Sequence, residues 1–245
     1  MYWYKSWCET RTVILLGIAA IAVACIFIVF NQQTMRDNAS EPTTYVALIW
    51  KAVYDTFGFD LFFILSVVLG SGGLLQEKTH GTAGFTLALP VSRRRILFTR
   101  AIVGYCGVLA LALTPAIVLP LGSRFIDQHY SAAQALSFSL LWACCGSIFY
   151  AYTFLLAHLT EGEYSAILAA VPSLMAYRFL MAILWLTHFP TLNIFGIVNG
   201  EDMPFFNEST YLLVGPMPWL ALIVMLFIAS LFVFLAVRRM EPMDF

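Results

Sequence analysis

Charged residues are scarce in this sequence. Asp, Glu, Lys and Arg together make up 11% of it, less than half of the roughly 25% found in soluble domains. Hydrophobic residues make up 61%, and the mean hydropathy is +0.84. The formal net charge of -1 offers no basic surface to a nucleic acid. The composition therefore excludes an ordinary soluble domain and a nucleic-acid-binding protein, and it predicts an all-α integral membrane protein.

Cysteine motifs and nucleotide motifs are also missing. The five cysteines are an odd number without a CxxC pair, so they predict neither a zinc site nor a disulfide framework. Four of them lie in apolar runs, as small buried residues do. No Walker A motif occurs, so the sequence predicts no cofactor in this chain, and ATP-driven work would require a partner.

A catalytic serine motif is incomplete. Residues 69–72 read Leu-Gly-Ser-Gly, which lacks the first glycine of the rhomboid protease motif. The topology below places His158 and His188 at opposite faces of the membrane, so neither is a suitable base for Ser71. The chain is therefore not predicted to be an enzyme, and the small residues favour close approach of helices.

Six segments are long and apolar enough to cross a hydrocarbon core of about 30 Å. No linker separates them, so residues 1–245 are predicted to form a single transmembrane permease domain. The predicted spans are residues 12–31, 57–75, 96–122, 134–158, 165–187 and 211–237.

The positions of the basic residues predict the orientation. Six spans place both termini on one side, and the positive-inside rule makes that side cytoplasmic. A multi-pass protein of the plasma membrane, the bacterial inner membrane, is expected. Only Arg36, Lys51 and Arg124 then face outward, whereas the cytoplasmic side holds Lys5, Arg11, Lys78, Arg93, Arg94, Arg95, Arg100, Arg238 and Arg239.

The first eleven residues interleave aromatic and charged side chains. Tyr2, Trp3, Tyr4 and Trp7 alternate with polar residues up to Arg11. This pattern suits a helix lying in the membrane interface, with aromatic rings at headgroup depth. The alternative is an aromatic anchor that directly precedes the first span.

The loop at residues 76–95 is the most informative polar segment. Thr82 is a candidate N-cap, residues 83–89 are long enough for about two helical turns, and Pro90 discourages continuation. Phe85 and Leu89 are four residues apart and would share one face, suited to a groove on a soluble partner. Arg93 to Arg95 are more simply interpreted as topology anchors.

Two further features lie in or beside the later spans. Arg178, near the middle of the fifth span, is a possible cavity residue or intramembrane charge, with Asp60 as a possible partner. The outer segment at residues 188–210 is too apolar for a solvated loop and too short to span. It predicts a re-entrant or interfacial hairpin.

At residues 77–93 the chain resembles the permease subunits of ABC-2 type transporters. Members of that family have a glutamate that ends the second span, a Gly-Thr step, a short apolar helix and a Pro-x-Ser-Arg step. Glu77, Gly81-Thr82, residues 85–89 and residues 90–93 match in order and spacing. Residues 5–11, Lys-Ser-Trp-Cys-Glu-Thr-Arg, are similar to the entry helix of the family.

The resemblance implies a type V exporter-like fold and a mechanism. Two six-span subunits, identical or different, would pair, and each would dock on a separate ATPase subunit that holds ATP and Mg²⁺. The short helix after the second span would be the coupling helix, and no residue of this chain would be catalytic or bind metal. The implied coupling contacts are Glu77, Gly81, Thr82, Phe85 and Leu89.

Two other functions remain open at this point. The same loop would serve a membrane-embedded signalling or assembly protein that recruits a cytoplasmic partner. A secondary transporter is the third possibility, although internal repeats are missing and acidic residues are rare within the spans. The sequence does not identify a transported substrate.

Overall fold

The computed structural model describes residues 2–37, 44–72, 93–160, 164–183, 193–200 and 203–240. These residues are almost entirely helical. A π-helical turn spans Trp50–Asp55, and β1 (Phe206–Asn207) pairs antiparallel with β2 (Leu212–Leu213). The α-helices in the described residues are α1 (Tyr2–Phe30), α2 (Gln32–Asp37), α3 (Tyr45–Ile49), α4 (Phe57–Ser71), α5 (Arg93–Arg124), α6 (Ala132–Leu159), α7 (Ser165–Ile183), α8 (Ile194–Asn199) and α9 (Trp219–Met240).

Five helical segments of the described residues are long and apolar enough to cross a membrane. The prediction of a helical membrane protein is therefore confirmed. The predicted fifth span is not among the five, because its described apolar segment, Ser165–Met181, is shorter, and residues 184–187 lie outside the described part. The five segments are Trp3–Phe30, Tyr45–Ser71, Arg94–Arg124, Ala132–Leu159 and Trp219–Arg239.

The structure corrects the starts of the first two spans. The predicted interfacial helix at residues 1–11 is not a separate element, because α1 continues without a break from Tyr2 to Phe30. No proline interrupts this sequence, so the helix continues into the apolar run. The second crossing segment begins at Tyr45 rather than at residue 57. Its additional turns bury Trp50 and Tyr54 despite the charges of Lys51 and Asp55.

Helix α6 is the central helix of the bundle. It packs against α4, α5, α7, α8 and α9, and every residue from 141 to 150 is buried. Helix α4 approaches it closely at Gly70, where an added Cβ would lie 2.5 Å from the carbonyl oxygen of Tyr150 and 2.9 Å from Cβ of Thr153. The expectation that small residues permit close packing is confirmed at Gly70.

The two ends of the bundle differ. One end, called the terminal end here, contains the N-terminal end of α1 and the C-terminal end of α9. The other, called the cap end, is covered by α8 and the β-hairpin. Residues 195–200 are all buried, and Gln134 of α6 holds the hairpin through two hydrogen bonds. Its Nε2 donates to the Leu213 carbonyl at 2.8 Å, and the Leu213 amide donates to its Oε1 at 3.0 Å.

This cap explains the apolar segment for which a re-entrant or interfacial hairpin was predicted. Its described residues form a short buried helix and begin a β-hairpin, and both pack on protein. Phe195 and Phe205 are buried, and Phe206 stacks on Trp50 with ring centroids 5.0 Å apart. Most apolar side chains among the described residues of this segment are therefore covered by the bundle itself.

Candidate functional site

The predicted coupling residues Glu77, Gly81, Thr82, Phe85 and Leu89 lie outside the described residues. The structure describes the chain on either side of them. Helix α4 ends at Ser71 with Gly72 as its C-cap, and α5 begins at Arg93. The candidate site is therefore built here from its framework at the terminal end.

A charge cluster joins α1 to α5 at this end. Nη2 of Arg100 lies 3.3 Å from Oε2 of Glu9, and Nζ of Lys5 lies 3.5 Å from Oε1 of the same carboxylate. The Arg100 side chain is only 12% exposed, whereas that of Glu9 is 31% exposed. Two cations therefore share one carboxylate, with the guanidinium on its protected side. We call Lys5, Glu9 and Arg100 the terminal charge cluster.

The same guanidinium reaches the last described residue before the predicted coupling loop. A Cβ placed on Gly72 would lie 3.3 Å from Nη2 of Arg100. The Arg100 guanidinium therefore lies where three helices meet. It belongs to α5, pairs with Glu9 of α1, and lies next to Gly72 at the C-terminal end of α4. A displacement of the chain at Gly72 would therefore be expected to shift the Arg100 guanidinium relative to the Glu9 carboxylate.

His158 lies in the last turn of α6 and is completely buried. Its Nδ1 donates to the carbonyl oxygen of Phe154 at 2.7 Å, and its ring lies 4.5 Å from the ring of Phe154. Its Nε2 has no hydrogen-bond partner among the described residues. Because one ring nitrogen is hydrogen-bonded within α6 and the ring lies against that of Phe154, we interpret His158 as a packing residue.

A large cleft opens beside the terminal charge cluster. Its volume is about 1160 Å³, and it lies between α5 and α9, with α6 as its floor. Trp3, Arg94, Arg95 and Arg238 line its mouth, and apolar side chains line most of its walls. The cleft thus combines a cationic opening with an apolar interior.

Arg178 lies at the far side of the molecule, on α7, and its side chain is exposed. Its guanidinium carbon is 5.5 Å from the ring centroid of Phe195 in α8, a cation–π contact. The suggested pairing with Asp60 is not observed among the described residues. Asp55, a second carboxylate of the same crossing segment, accepts a hydrogen bond from Nδ2 of Asn199 at 3.0 Å.

Sequence reasoning missed the terminal charge cluster. In the sequence Glu9 belongs to the segment that is similar to an entry helix, and Arg100 is one of several cations predicted to be cytoplasmic. A signal was present, because Arg100 lies inside the apolar part of α5, about one and a half turns beyond the basic run at 93–95. A charge at such a position requires a partner.

Among the residues that the structure describes, no group of three or more His, Cys, Asp and Glu is arranged to hold a metal ion. Comparison with models of known protein families finds no match to this chain, and a search of curated proteins finds no match either.

Proposed function

We propose that this chain is the permease subunit of an ABC-2 type transporter, an exporter that works as a dimer with a separate ATPase subunit. The observation that carries the proposal is the ordered series Glu77, Gly81-Thr82, an apolar turn and Pro90-x-Ser-Arg between two crossing segments. The absence of a Walker A motif from the same chain supports a division of labour in which the partner hydrolyses ATP.

The terminal charge cluster supports this proposal from a different direction. A coupling loop can drive transport only if its displacement is transmitted to the spanning helices. Arg100 lies beside Gly72, where the loop leaves α4, and forms an ion pair with Glu9 of α1. A push on the loop by an ATPase would therefore be transmitted to α1 and α5, through charged contacts that water does not fully screen.

The decisive experiment is purification of the tagged chain from its native membrane, followed by reconstitution in nanodiscs. A Walker A-containing ATPase is expected to co-purify, and the complex is expected to hydrolyse ATP. Glu77→Ala and Gly81→Trp should each lower ATP turnover, the first by removing a coupling carboxylate and the second by blocking close contact at the Gly-Thr step.

Glu208→Ala is the matched control. Glu208 is an exposed carboxylate in the hairpin turn at the cap end, whereas Gly72 and the start of α5, which flank the predicted loop in sequence, lie at the terminal end, so its removal should leave ATP turnover unchanged. The proposal fails if no ATPase co-purifies, or if both loop variants retain full turnover. Transport driven by an ion gradient without ATP would indicate a secondary transporter instead.

A further inference from the structure

We propose that the cleft between α5 and α9 binds one membrane phospholipid with an anionic headgroup. The headgroup phosphate would lie at Arg95 and Arg238, and one acyl chain would extend into the cleft. The inference stands apart from the proposed transport function, because it concerns the described helices and requires neither a cargo nor an ATPase.

The shape of the cleft fits one leaflet of a bilayer. Both α5 and α9 pack along α6 but make few contacts with each other, which leaves the gap open along its length. Its lining runs from Arg95 to Tyr105 on one wall and from Arg238 to Leu226 on the other. At 1.5 Å per residue these distances are about 15 and 18 Å. Half of a hydrocarbon core of about 30 Å has the same depth.

The interior of the cleft suits a hydrocarbon chain. Phe98 and Phe234 line it, and more than half of the surface of each residue is exposed. The hydroxyl groups of Thr99, Ser147 and Ser230 all donate to carbonyl oxygens of their own helices, those of Arg95, Cys144 and Leu226. An acyl chain placed there would therefore leave these donors satisfied, and its burial would be favourable.

The mouth of the cleft suits a phosphate. Arg95 lies near the start of α5 and Arg238 in the last turn of α9, so residues from two different helices converge on one opening. A guanidinium offers paired donors that match phosphate oxygens. Trp3 completes the rim with an amphipathic ring of the kind found at headgroup depth. Basic pockets between membrane helices bind anionic lipid headgroups in this way.

Lipid retention measured by native mass spectrometry tests the proposal on the full chain. Phosphatidylglycerol and phosphatidylcholine with identical acyl chains serve as probes. One phosphatidylglycerol per chain is expected to be retained in preference to phosphatidylcholine. In the double variant Arg95→Gln, Arg238→Gln the dissociation constant for phosphatidylglycerol should rise roughly 10- to 30-fold, while that for phosphatidylcholine should change little.

Two further variants distinguish lipid binding inside the cleft from attraction of the lipid headgroup to exposed cations. Ser230→Phe fills the cleft without altering the arginines and should abolish retention of phosphatidylglycerol; Val233→Phe serves if that variant does not fold. The double variant Arg124→Gln, Lys51→Gln removes two exposed cations at the cap end and should leave retention unchanged.

Three results would overturn the proposal. Full retention in the cleft-filled variants would show that the lipid touches only surface arginines. Equal retention of the two lipids would remove the role of the headgroup. An unchanged dissociation constant for phosphatidylglycerol in the double variant Arg95→Gln, Arg238→Gln would remove the role of the two arginines.

Discussion

Nη2 of Arg100 lies 3.3 Å from Oε2 of Glu9, and this contact ties the first turns of α1 to the first third of α5. The guanidinium is largely protected from water, whereas Lys5, on the other side of the same carboxylate, is more exposed. The two cations therefore differ in how much water screens their interaction with the Glu9 carboxylate. A protected ion pair depends strongly on its partner, while an exposed pair within one helix contributes little.

Glu9→Gln is expected to destabilise the protein by about 1–2 kcal/mol, because it leaves a largely buried guanidinium without its carboxylate. Lys5→Gln, the control, removes an i,i+4 pair that is more exposed and should cost less than about 0.5 kcal/mol. Unfolding in mixed detergent micelles, followed by circular dichroism, measures both. Equal losses in the two variants would contradict the distinction between them.

Gly70→Ala is expected to destabilise the bundle by about 1–3 kcal/mol, because the new methyl group would press on the carbonyl of Tyr150 and force α4 away from α6. Gly122→Ala is a matched control within a helix, since a Cβ there would lie 3.5 Å from Cγ1 of Val29, an ordinary contact. Alanine at 122 should be neutral or stabilising by up to about 1 kcal/mol. Thermal unfolding distinguishes them, and similar midpoints for both variants would argue against the close approach.

Trp50→Phe is expected to loosen the cap end. Nε1 of Trp50 donates to the carbonyl oxygen of Asn199 at 2.9 Å, and phenylalanine keeps the ring but loses this donor. The buried carbonyl left unpaired should cost about 1–2 kcal/mol. Hydrogen exchange of the hairpin amides should then become roughly tenfold faster. Trp219→Phe, at an exposed ring, should leave their exchange unchanged, and faster exchange in both variants would refute the link.

Cysteine labelling tests the predicted orientation. In a background without the five native cysteines, Ser209→Cys at the cap end should react with a membrane-impermeant maleimide added to intact cells. Arg239→Cys at the terminal end should react only after the membrane is permeabilised. The reverse pattern would place the termini outside and would move the predicted coupling loop away from any cytoplasmic ATPase.

The sequence predicted α5 and α6 to within a few residues, because apolar residues run there almost without interruption. It placed the start of the first span at residue 12 and of the last at residue 211, whereas α1 begins at Tyr2 and α9 at Trp219. It placed the start of the second segment too late, because Lys51 and Asp55 lower the local hydropathy. The structure shows that Lys51 is exposed while neighbouring Trp50 and Tyr54 are buried. Which face of a helix turns inward depends on neighbours that a hydropathy window does not include.

The contacts of the candidate site were less predictable. Glu9 and Arg100 are far apart in sequence, and only the packing of α1 on α5 brings them together. Arg178 is predicted as a cavity residue or an intramembrane charge, and its contact with Phe195 depends on the fold of a segment whose apolar residues suggest membrane insertion. Charges can be located from a sequence, whereas their partners depend on tertiary structure.

The burial of α6 has a consequence for how the protein is made. Its inner surface carries Ser139, Ser147, Thr153 and His158, all buried in the finished bundle. Its wall is completed by α9, which follows it in the chain and leaves the ribosome later. During synthesis the side of α6 that packs on α9 is therefore uncovered until α9 has been inserted. A chain truncated before α9 is expected to leave that side of α6 exposed to lipid or to other membrane proteins.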